Sequence, residues 1–220
     1  MSPKQTSEIT IKAPSLQTVE IEIEGISEYV QHRFPEKARR QMHEKHEAGD
    51  KAKSKNKRES RDFDADFHAA TYHMEGGGYG IPCAAFRAAM ISACRSAGFV
   101  MTRAKQGIVW TEPDGRSTPD GTALVRITKG EPEYFEMYAR NDNGSIDLRV
   151  RPRWAPGWTA VVRIKFDSDM IDAQSIANLL MRAGMQVGIG EGRNDSKNSC
   201  GQGWGFFQIK ERKSDEQQQG

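Results

Sequence analysis

The chain has 220 residues, of which 36% are hydrophobic and 28% charged, enough for one sizeable core or two small ones beside a polar insertion. No run is long and apolar enough to cross a membrane, and residues 1–10 lack the apolar centre of a signal peptide. The 3 cysteines have no CxxC spacing, which favours reduced thiols. We therefore expect a cytoplasmic protein without a membrane partner.

The net charge is only +2, but the positive charge is concentrated. Between positions 36 and 61 there are ten lysine and arginine residues and five acidic ones, so the rest of the chain is slightly acidic. A second cluster, Arg149, Arg151 and Arg153, is followed directly by Trp154. Concentrated basic charge on a near-neutral body points to a polyanionic partner.

The predicted elements begin with a half-buried strand at Leu16–Glu24, where valine and isoleucine alternate with glutamate. From about 31 to 70 the strand pattern disappears, and the polar composition predicts a flexible basic insertion with a short helix from Pro35. Residues 214–220 are predicted to be a disordered tail, which leaves 1–213 as one domain.

The sequence pattern predicts the first core helix at residues 80–97, with Pro82 in its first turn and Gly98 as its C-terminal cap. Alanine, phenylalanine and methionine recur at i, i+3, i+4 and i+7 and form its buried stripe. Arg87 and Arg95 lie off that stripe. They belong either to a solvated helix face or to a surface that binds phosphate.

Further elements follow in alternating order. The predicted strands are Gly107–Glu112, Thr122–Thr128, Gly157–Asp167 and Trp204–Lys210, and the predicted second helix is Asp172–Ala183, ended by Gly184. The order strand, helix, strand, strand, helix, strand predicts an α+β protein with a ferredoxin-like (RRM-like, split βαβ) core and long insertions. Such a core has an antiparallel sheet with both helices on one face, and its open face commonly serves nucleic-acid binding.

Two glycine-rich stretches flank the elements of this core. GGGYGIP precedes the first helix, and GIGEGR…GQGWG occupies 188–205 before the last strand. Glycine lets another backbone approach closely and leaves N–H groups accessible to phosphate, although a long flexible turn would have the same composition. The later stretch follows a helix and lacks GKS or GKT, so it is neither a Walker loop nor a dinucleotide fingerprint.

Together, these stretches resemble the repeat-associated (RAMP) superfamily of CRISPR effector proteins, whose first helix has the form I-P-x-x-x-[FLI]-[KR]-x-x-[LM]. The matching residues here are Ile81, Pro82, Phe86, Arg87 and Met90. The chain also resembles uncharacterised proteins of tailed phages and prophages, which implies a bacterial host cell. The resemblance covers the skeleton of roughly 16–210, while its specific motifs cover two short stretches.

The resemblance implies that the start of the first helix lies near a nucleic-acid backbone and that the insertion forms a mobile flap over it. It also implies side-by-side assembly of identical subunits. In the last strand, one aromatic face must pack on the helices, so part of that aromatic signal is core. The candidate contacts are basic or aromatic: Arg33, Lys37, Arg39, Arg40, Lys51, Lys53, Lys55, Lys57, Arg58, Arg87, Arg95, Arg149, Arg151, Arg153, Trp154, Arg193 and Trp204.

Catalysis has little support in the sequence. His43 and His46 do not have HExxH spacing and lack an obvious third metal ligand. RNA-cleaving members of the superfamily use an early aspartate, and Asp62, Asp64 and Asp66 fall in a comparable region, but we favour the interpretation that they belong to a solvated charged loop. We expect no cofactor, no bound metal and no catalytic residue.

Three functions remain compatible with these features. The favoured one is a non-enzymatic protein that oligomerises along single-stranded DNA, or RNA, in phage recombination or replication. The second is a RAMP-type endoribonuclease. The third is a phage interaction or inhibitor protein without a nucleic-acid role.

Overall fold

The computed structural model describes residues 11–34, 36–48, 61–118, 120–140, 144–195 and 201–210. Its strands in these ranges are β1 (Leu16–Gly25), β2 (Tyr29–Val30), β3 (Gly80–Pro82), β4 (Ile108–Glu112), β5 (Gly115–Arg116), β6 (Ala123–Lys129), β7 (Glu133–Arg140), β8 (Ile146–Trp154), β9 (Thr159–Asp167) and β10 (Phe207–Ile209). Its helices are α1 (Glu36–Ala48), α2 (Phe63–Ala70), α3 (Cys83–Ala97), α4 (Met101–Gly107) and α5 (Ala173–Arg182), and α5 continues into a π-helical turn at Ala183–Val187.

The protein is α+β with antiparallel pairing, as its sequence predicts, but it has two sheets where one was expected. The strands of the larger sheet lie in the order β10, β1, β9, β6 and β3, with β4 pairing with β9 and β5 pairing with β6. The smaller sheet has the order β2, β8 and β7, so that β7 and β8 form a long hairpin. Among the helices described, none combines the length and apolar character that crossing a bilayer requires.

Side-chain alternation along the central strands decides which face of the larger sheet is buried. On β9, Val162, Ile164 and Phe166 are fully buried in one cluster with Ile21 and Ile23 of β1. The buried stripes of α3 and α5 belong to the same cluster. Both helices therefore cover one face of the sheet, and the opposite face bears the polar members of the same alternation.

The start of α3 differs from the prediction. Residues 80–82 form β3 and pair with β6, so the helix begins at Cys83, and Pro82 is its N-cap residue with φ −54°. Pro82 has no N–H to donate, so the first free N–H groups of the helix begin after it. Gly98 caps the other end with φ 67°, as predicted. Ala97 is exposed and does not belong to the buried stripe.

The sequence predicts that the second helix ends at Gly184, but the structure shows a longer helical segment. The chain continues through the π-helical turn and leaves the helical conformation at Gly188, where φ is 77°. A Cβ atom at position 184 would lie 2.1 Å from the carbonyl oxygen of Phe207. Gly184 therefore permits close packing of the helical segment on β10 rather than capping it.

The hairpin carries the largest departures from the prediction. Strand β7 was not predicted, and the alternation in β8 predicts that Ile146 is buried and Arg151 leaves the core. The structure shows the reverse, with Ile146 67% exposed and Arg151 7% exposed. The base of β8 is covered on both faces, because Val150, Arg151 and Pro152 are all buried, whereas its far end projects from the core.

The insertion contains helices in both of its described parts. Helix α1 agrees with the prediction of a short helix from Pro35. The segment 63–70 was predicted to be a charged loop, but it forms α2, with the Asp62 side chain accepting a hydrogen bond from the Ala65 N–H. The cluster Lys51, Lys53, Lys55, Lys57 and Arg58, like the predicted tail, lies outside the described residues.

Candidate functional site

An open groove of about 1290 Å³ lies between α3 and the segment that follows the π-helical turn. One wall is formed by Pro82 and the first three turns of α3, and the other by residues 187–195. We call the second wall the glycine wall. Of the two sequence stretches that carry the family resemblance, about 100 residues apart in the chain, Pro82 and Arg87 of the first and residues 188–193 of the second line the same groove.

Small residues line both sides of the groove. On α3 they are Ala84, Ala85 and Ala88, and on the glycine wall they are Gly188, Gly190 and Gly192. The alanines leave the backbone of α3 open to close approach by a bound chain. On the glycine wall, a Cβ atom at Gly188 or Gly192 would lie within 3 Å of Trp204, so these glycines make room for that residue.

The glycine wall is held by backbone hydrogen bonds. Ile189 N–H donates to the carbonyl of Gly205 at 3.0 Å, and Glu191 N–H donates to the carbonyl of Val30 at 2.9 Å. Gly205 N–H in turn donates to the carbonyl of Glu28 at 2.6 Å. A Cβ atom at Gly192 would lie 2.2 Å from the ring of Trp204, so that ring packs directly on the wall. The two glycine-rich runs of 188–205 therefore form one ordered unit.

The rim of the groove has more basic than acidic side chains. Its cations are Arg87, Arg95, Lys105 and Arg193, and its carboxylates are Glu191 and Asp195. Lys105 was not among the predicted contacts, because α4 has no sequence signal that connects it with α3. The excess of cations gives the groove a net attraction for an anionic ligand.

Arg87 has a structural role as well as a place in the groove. Its Nε donates to the carbonyl of Ile108 at 2.9 Å, and its Nη2 donates to the carbonyl of Lys105 at 2.6 Å. These carbonyls lie at the C-terminal end of α4, where backbone acceptors lack helical partners. Arg87 therefore joins α3 to α4 and holds its guanidinium at the rim.

Arg95 and Arg193 lie at the other end of the groove. Arg95 Nη2 donates to Ser92 Oγ at 2.8 Å and lies 3.5 Å from the carboxylate of Asp195, which also accepts from Ser92. Arg193 Nη1 donates to the carbonyl of Gly190 at 2.8 Å. Arg95 is exposed and Arg193 is half-buried, so both charges are accessible from the groove.

The predicted cluster Arg149, Arg151 and Arg153 lies on one face of the hairpin, opposite Met137, Phe135 and Glu133 in that order. The Nε atom of Arg151 donates to Glu191 of the glycine wall at 2.6 Å. This ion pair, nearly closed to solvent on the arginine side, connects the groove to the hairpin face. Arg149 is half-buried and lies 3.7 Å from Asp147.

His32 lies beside the same pair, with its Nδ1 atom 3.7 Å from Glu191. Burial lowers the pKa of His32, and the charges of Arg151 and Arg149 lower it further, against the opposing effect of Glu191. Neutral imidazole is therefore favoured at this position, where a second positive charge beside Arg151 would be repelled.

An aromatic and cationic cluster lies next to the glycine wall on the hairpin face. The rings of Phe135 and Trp204 are 5.7 Å apart in an edge-to-face arrangement, and the guanidinium of Arg153 lies 4.5 Å from the centre of the Phe135 ring. Arg153 also donates to Glu133 at 3.0 Å. Phe135, which was not predicted, belongs to a strand that sequence reasoning missed. Trp204 and Arg153 are predicted contacts that the fold brings together.

Two predicted contacts lie inside the protein. Trp154 is completely buried, between Tyr29 and Tyr79, and so it has no exposed face on which a base could stack. Arg33 is buried too, and its Nε donates to Asp120 at 3.0 Å. Burial raises the pKa of Asp120, but hydrogen bonds from Ser117, Thr122 and Arg33 outweigh this and lower it to about 2. Because they are buried, Trp154 and Arg33 are not part of the candidate binding surface, and the buried Arg151 is excluded for the same reason.

Helix α1 contributes two predicted contacts whose side chains are described. Arg39 and Arg40 are exposed, and Arg40 lies 3.7 Å from Glu44 one turn away. The Lys37 side chain lies outside the described part of the chain. A surface pair of this kind contributes little to stability, so Arg40 can exchange Glu44 for another anion, and Arg39 is exposed as well.

The open face of the larger sheet differs from what the architecture predicts. Glu20 and Glu22 of β1 point to this face, where Arg163 pairs with Asp114 and Glu20, and Lys210 pairs with Glu22 at 2.6 Å. Arg163 and Lys210 are therefore matched by carboxylates, which repel phosphate, while Lys165 on the same face lies 5.4 Å from the centre of the Trp110 ring. The basic groove beside α3 is the better candidate for an anionic ligand.

Two of the three candidate catalytic aspartates have local structural roles. Asp62 caps α2, and Asp66 pairs with Arg61 at 2.7 Å. His43 and His46 lie on α1, and the described part of the chain contains no group of three potential metal ligands. The thiols of Cys83 and Cys94 are buried, and burial raises the pKa of Cys83 to about 11, so this thiol is a poor nucleophile.

A comparison of the chain with known protein families and with curated proteins finds no match. The geometry of the groove therefore carries the functional argument.

Proposed function

We propose that this protein is a non-enzymatic nucleic-acid-binding protein that holds a single strand in the groove between α3 and the glycine wall and assembles along it. Single-stranded DNA is the preferred ligand, since the sequence resembles phage proteins. The observation that carries the proposal is that the start of α3, with Pro82 and Arg87, and the glycine wall line one groove with four cations at its rim.

A ferredoxin-like core is part of this proposal. The order β1, α3, β4 with β6, β9, α5, β10 follows the strand, helix, strand, strand, helix, strand pattern of that core. The neighbours in the sheet, β10, β1, β9 and then β6, and the packing of α3 and α5 on one face support it as well.

The chemistry of the groove suits a single strand for two reasons. Its cations follow a groove with small residues at its walls, which matches a flexible phosphate backbone. Beyond Glu191, the pair Phe135 and Trp204 presents aromatic rings on which an unpaired base can stack, and such stacking is largely independent of base identity. A duplex, whose bases are already stacked, would not use these rings.

The contribution of the cations can be tested through salt dependence. Arg95 and Lys105 are exposed at the rim, and for single strands each phosphate contact contributes about 0.7 to the slope of log affinity against log salt. Replacing both with glutamine should reduce the slope by roughly 1.4 and weaken binding. Fluorescence anisotropy with labelled oligothymidine and oligouridine at increasing salt measures both quantities.

Arg103 provides the matched control. It lies on α4 two residues from Lys105 and is exposed, but it does not line the groove. Arg103→Gln should leave the slope unchanged, and all variants should keep the melting temperature of the wild type. If Arg95→Gln with Lys105→Gln binds like Arg103→Gln, the groove is not the binding site. If the wild type binds neither oligonucleotide, the proposed function is wrong.

A further inference from the structure

The far half of the β7–β8 hairpin presents an uncovered apolar face. Tyr138 is 79% exposed and Ile146 is 67% exposed. Leu148 lies opposite Tyr138 in the strand register, and Ile146 follows two residues from Leu148 on the same face. Nearer the core, the same face is covered by α2, where the rings of Phe67 and Tyr134 are 5.9 Å apart. The uncovered half is therefore a projecting apolar surface, which we call the hairpin end.

One carboxylate accompanies this apolar surface. Glu136 lies two residues from Tyr138 on the same face, since residues two apart in a strand share a face, and both are exposed. The hairpin end thus combines an exposed tyrosine and isoleucine with one carboxylate.

A hollow of about 400 Å³ lies on the outer side of α5 and the π-helical turn. Its lining includes Asn178, Met181, Arg182 and Met185, which follow i, i+3, i+4, i+7 spacing and form the outward stripe of this helical segment. Met181 is 42% exposed and Met185 48% exposed. Methionine side chains adapt to the shape of a partner and contact aromatic rings favourably. No ion pair of Arg182 occurs within the described ranges.

We infer that the hairpin end of one copy docks into this methionine hollow of a second copy. The projecting side chains of Tyr138 and Ile146 match the methionine hollow, and the carboxylate of Glu136 matches the charge of Arg182. The hairpin end and the methionine hollow both belong to this chain, so the partner we infer is a second copy of it. The inference deepens the assembly part of the proposed function by assigning its surfaces.

The contact is head to tail, because the two surfaces belong to different elements of the fold. A head-to-tail contact leaves a free hairpin end on one copy and a free hollow on the other, so it repeats along a row. Each contact is small compared with a stable interface of about 1,600 Å². The free protein should therefore associate weakly, and a bound strand should strengthen the association by holding neighbours at high effective concentration.

Sedimentation velocity over a range of protein concentrations tests the contact in the absence of nucleic acid. The wild type should show a concentration-dependent series of oligomers, while Tyr138→Glu and Met181→Glu should each remain monomeric. An equimolar mixture of these two variants should form dimers and nothing larger, since it contains one intact hairpin end and one intact hollow per pair. Val100→Glu is the control, because Val100 is 64% exposed but belongs to neither surface.

Charge reversal provides a second test of the same contact. Arg182→Glu should weaken association, and adding Glu136→Arg to the same chain should restore it. A wild type that stays monomeric at all concentrations overturns the inference, and so does a mixture of the two monomeric variants that forms no dimer. Oligomers of Met181→Glu as large as those of the wild type would place the interface elsewhere.

The outcome can be separated from that of the proposed function. Tyr138→Glu should bind an oligonucleotide long enough for one copy with wild-type affinity, and it should lose cooperativity on a long one. If the short oligonucleotide is bound but no variant affects cooperativity, the groove is supported and the contact is wrong. If the oligomers form as expected but no nucleic acid is bound, the contact is supported and the proposed function is wrong.

Discussion

Substitution of Gly205 tests the architecture of the glycine wall most directly. Gly205 has φ +74°, and a Cβ atom at this position would lie 1.8 Å from the carbonyl oxygen of Ile189. Gly203 has the same φ, but its nearest neighbour to an added Cβ is the ring of Phe206 at 3.8 Å, an ordinary contact. Gly205→Ala and Gly203→Ala therefore share the backbone strain and differ in the collision.

The magnitudes follow from these contacts. A left-handed conformation destabilises a non-glycine residue by about 1 kcal/mol, which is the whole effect expected for Gly203→Ala. In Gly205→Ala the backbone must also move away from Ile189, which weakens the bonds from Ile189 to Gly205 and from Gly205 to Glu28. Weakening of the two hydrogen bonds destabilises the protein by about 1 kcal/mol in total, the strain by about 1 kcal/mol and overpacking by about 1–3 kcal/mol, which predicts a loss of roughly 3–5 kcal/mol.

Urea unfolding followed by tryptophan fluorescence measures the difference, since the chain has 4 tryptophans. For a chain of this length, the extra loss of stability in Gly205→Ala should place its melting temperature roughly 5–15 °C below that of Gly203→Ala. Gly205→Ala should also bind oligothymidine more weakly, because the wall of the groove is displaced. If the two variants are equally stable to within about 0.5 kcal/mol, the wall is not packed as the structure has it.

Three further predictions concern the site. Phe135→Ala should weaken single-strand binding about tenfold, the lower part of the range for a stacked base, while a duplex of the same length should bind no worse than before. Because the pKa of His32 is lowered in the folded protein, its stabilising contribution is complete above the unfolded pKa of about 6.5 and is lost as pH falls towards the folded pKa. His32→Gln should therefore lose less stability than the wild type between about pH 7 and pH 5 in urea titrations, and equal losses would contradict this role. End-labelled DNA and RNA incubated with the protein should remain intact with magnesium and with chelator, whereas cleavage abolished by Asp64→Asn would establish an endoribonuclease.

Several elements could be predicted from the sequence because their signals are local. The strand β1 and the buried face of β9 follow directly from alternating side chains, and the stripe of α5 follows from helical spacing. The cap at Gly98 is equally local, since it depends on a few neighbouring residues. Local signals were misleading at β8, where the base of the strand is covered on both faces and the far end on neither.

The candidate site was predicted only in part. The sequence indicated two glycine-rich stretches and a set of arginines, but it did not distinguish the half-buried Arg87 and exposed Arg95 of the groove from the buried Arg33 and Arg151. The sequence around an arginine does not show whether its side chain pairs with a carboxylate far away in the chain or faces solvent. Lys105 and Phe135 were missed because each belongs to an element with little periodicity.

The sequence by itself determined the class of fold, the main helices and strands, and the glycines at which left-handed or closely packed backbone is required, because each depends on interactions within a few residues. Only the tertiary structure decided that the start of α3 and the glycine wall share a groove, that Glu191 neutralises Arg151, and that Trp154 is core. These features depend on contacts between residues far apart in the chain, and strand pairing and packing bring them together only in the folded protein.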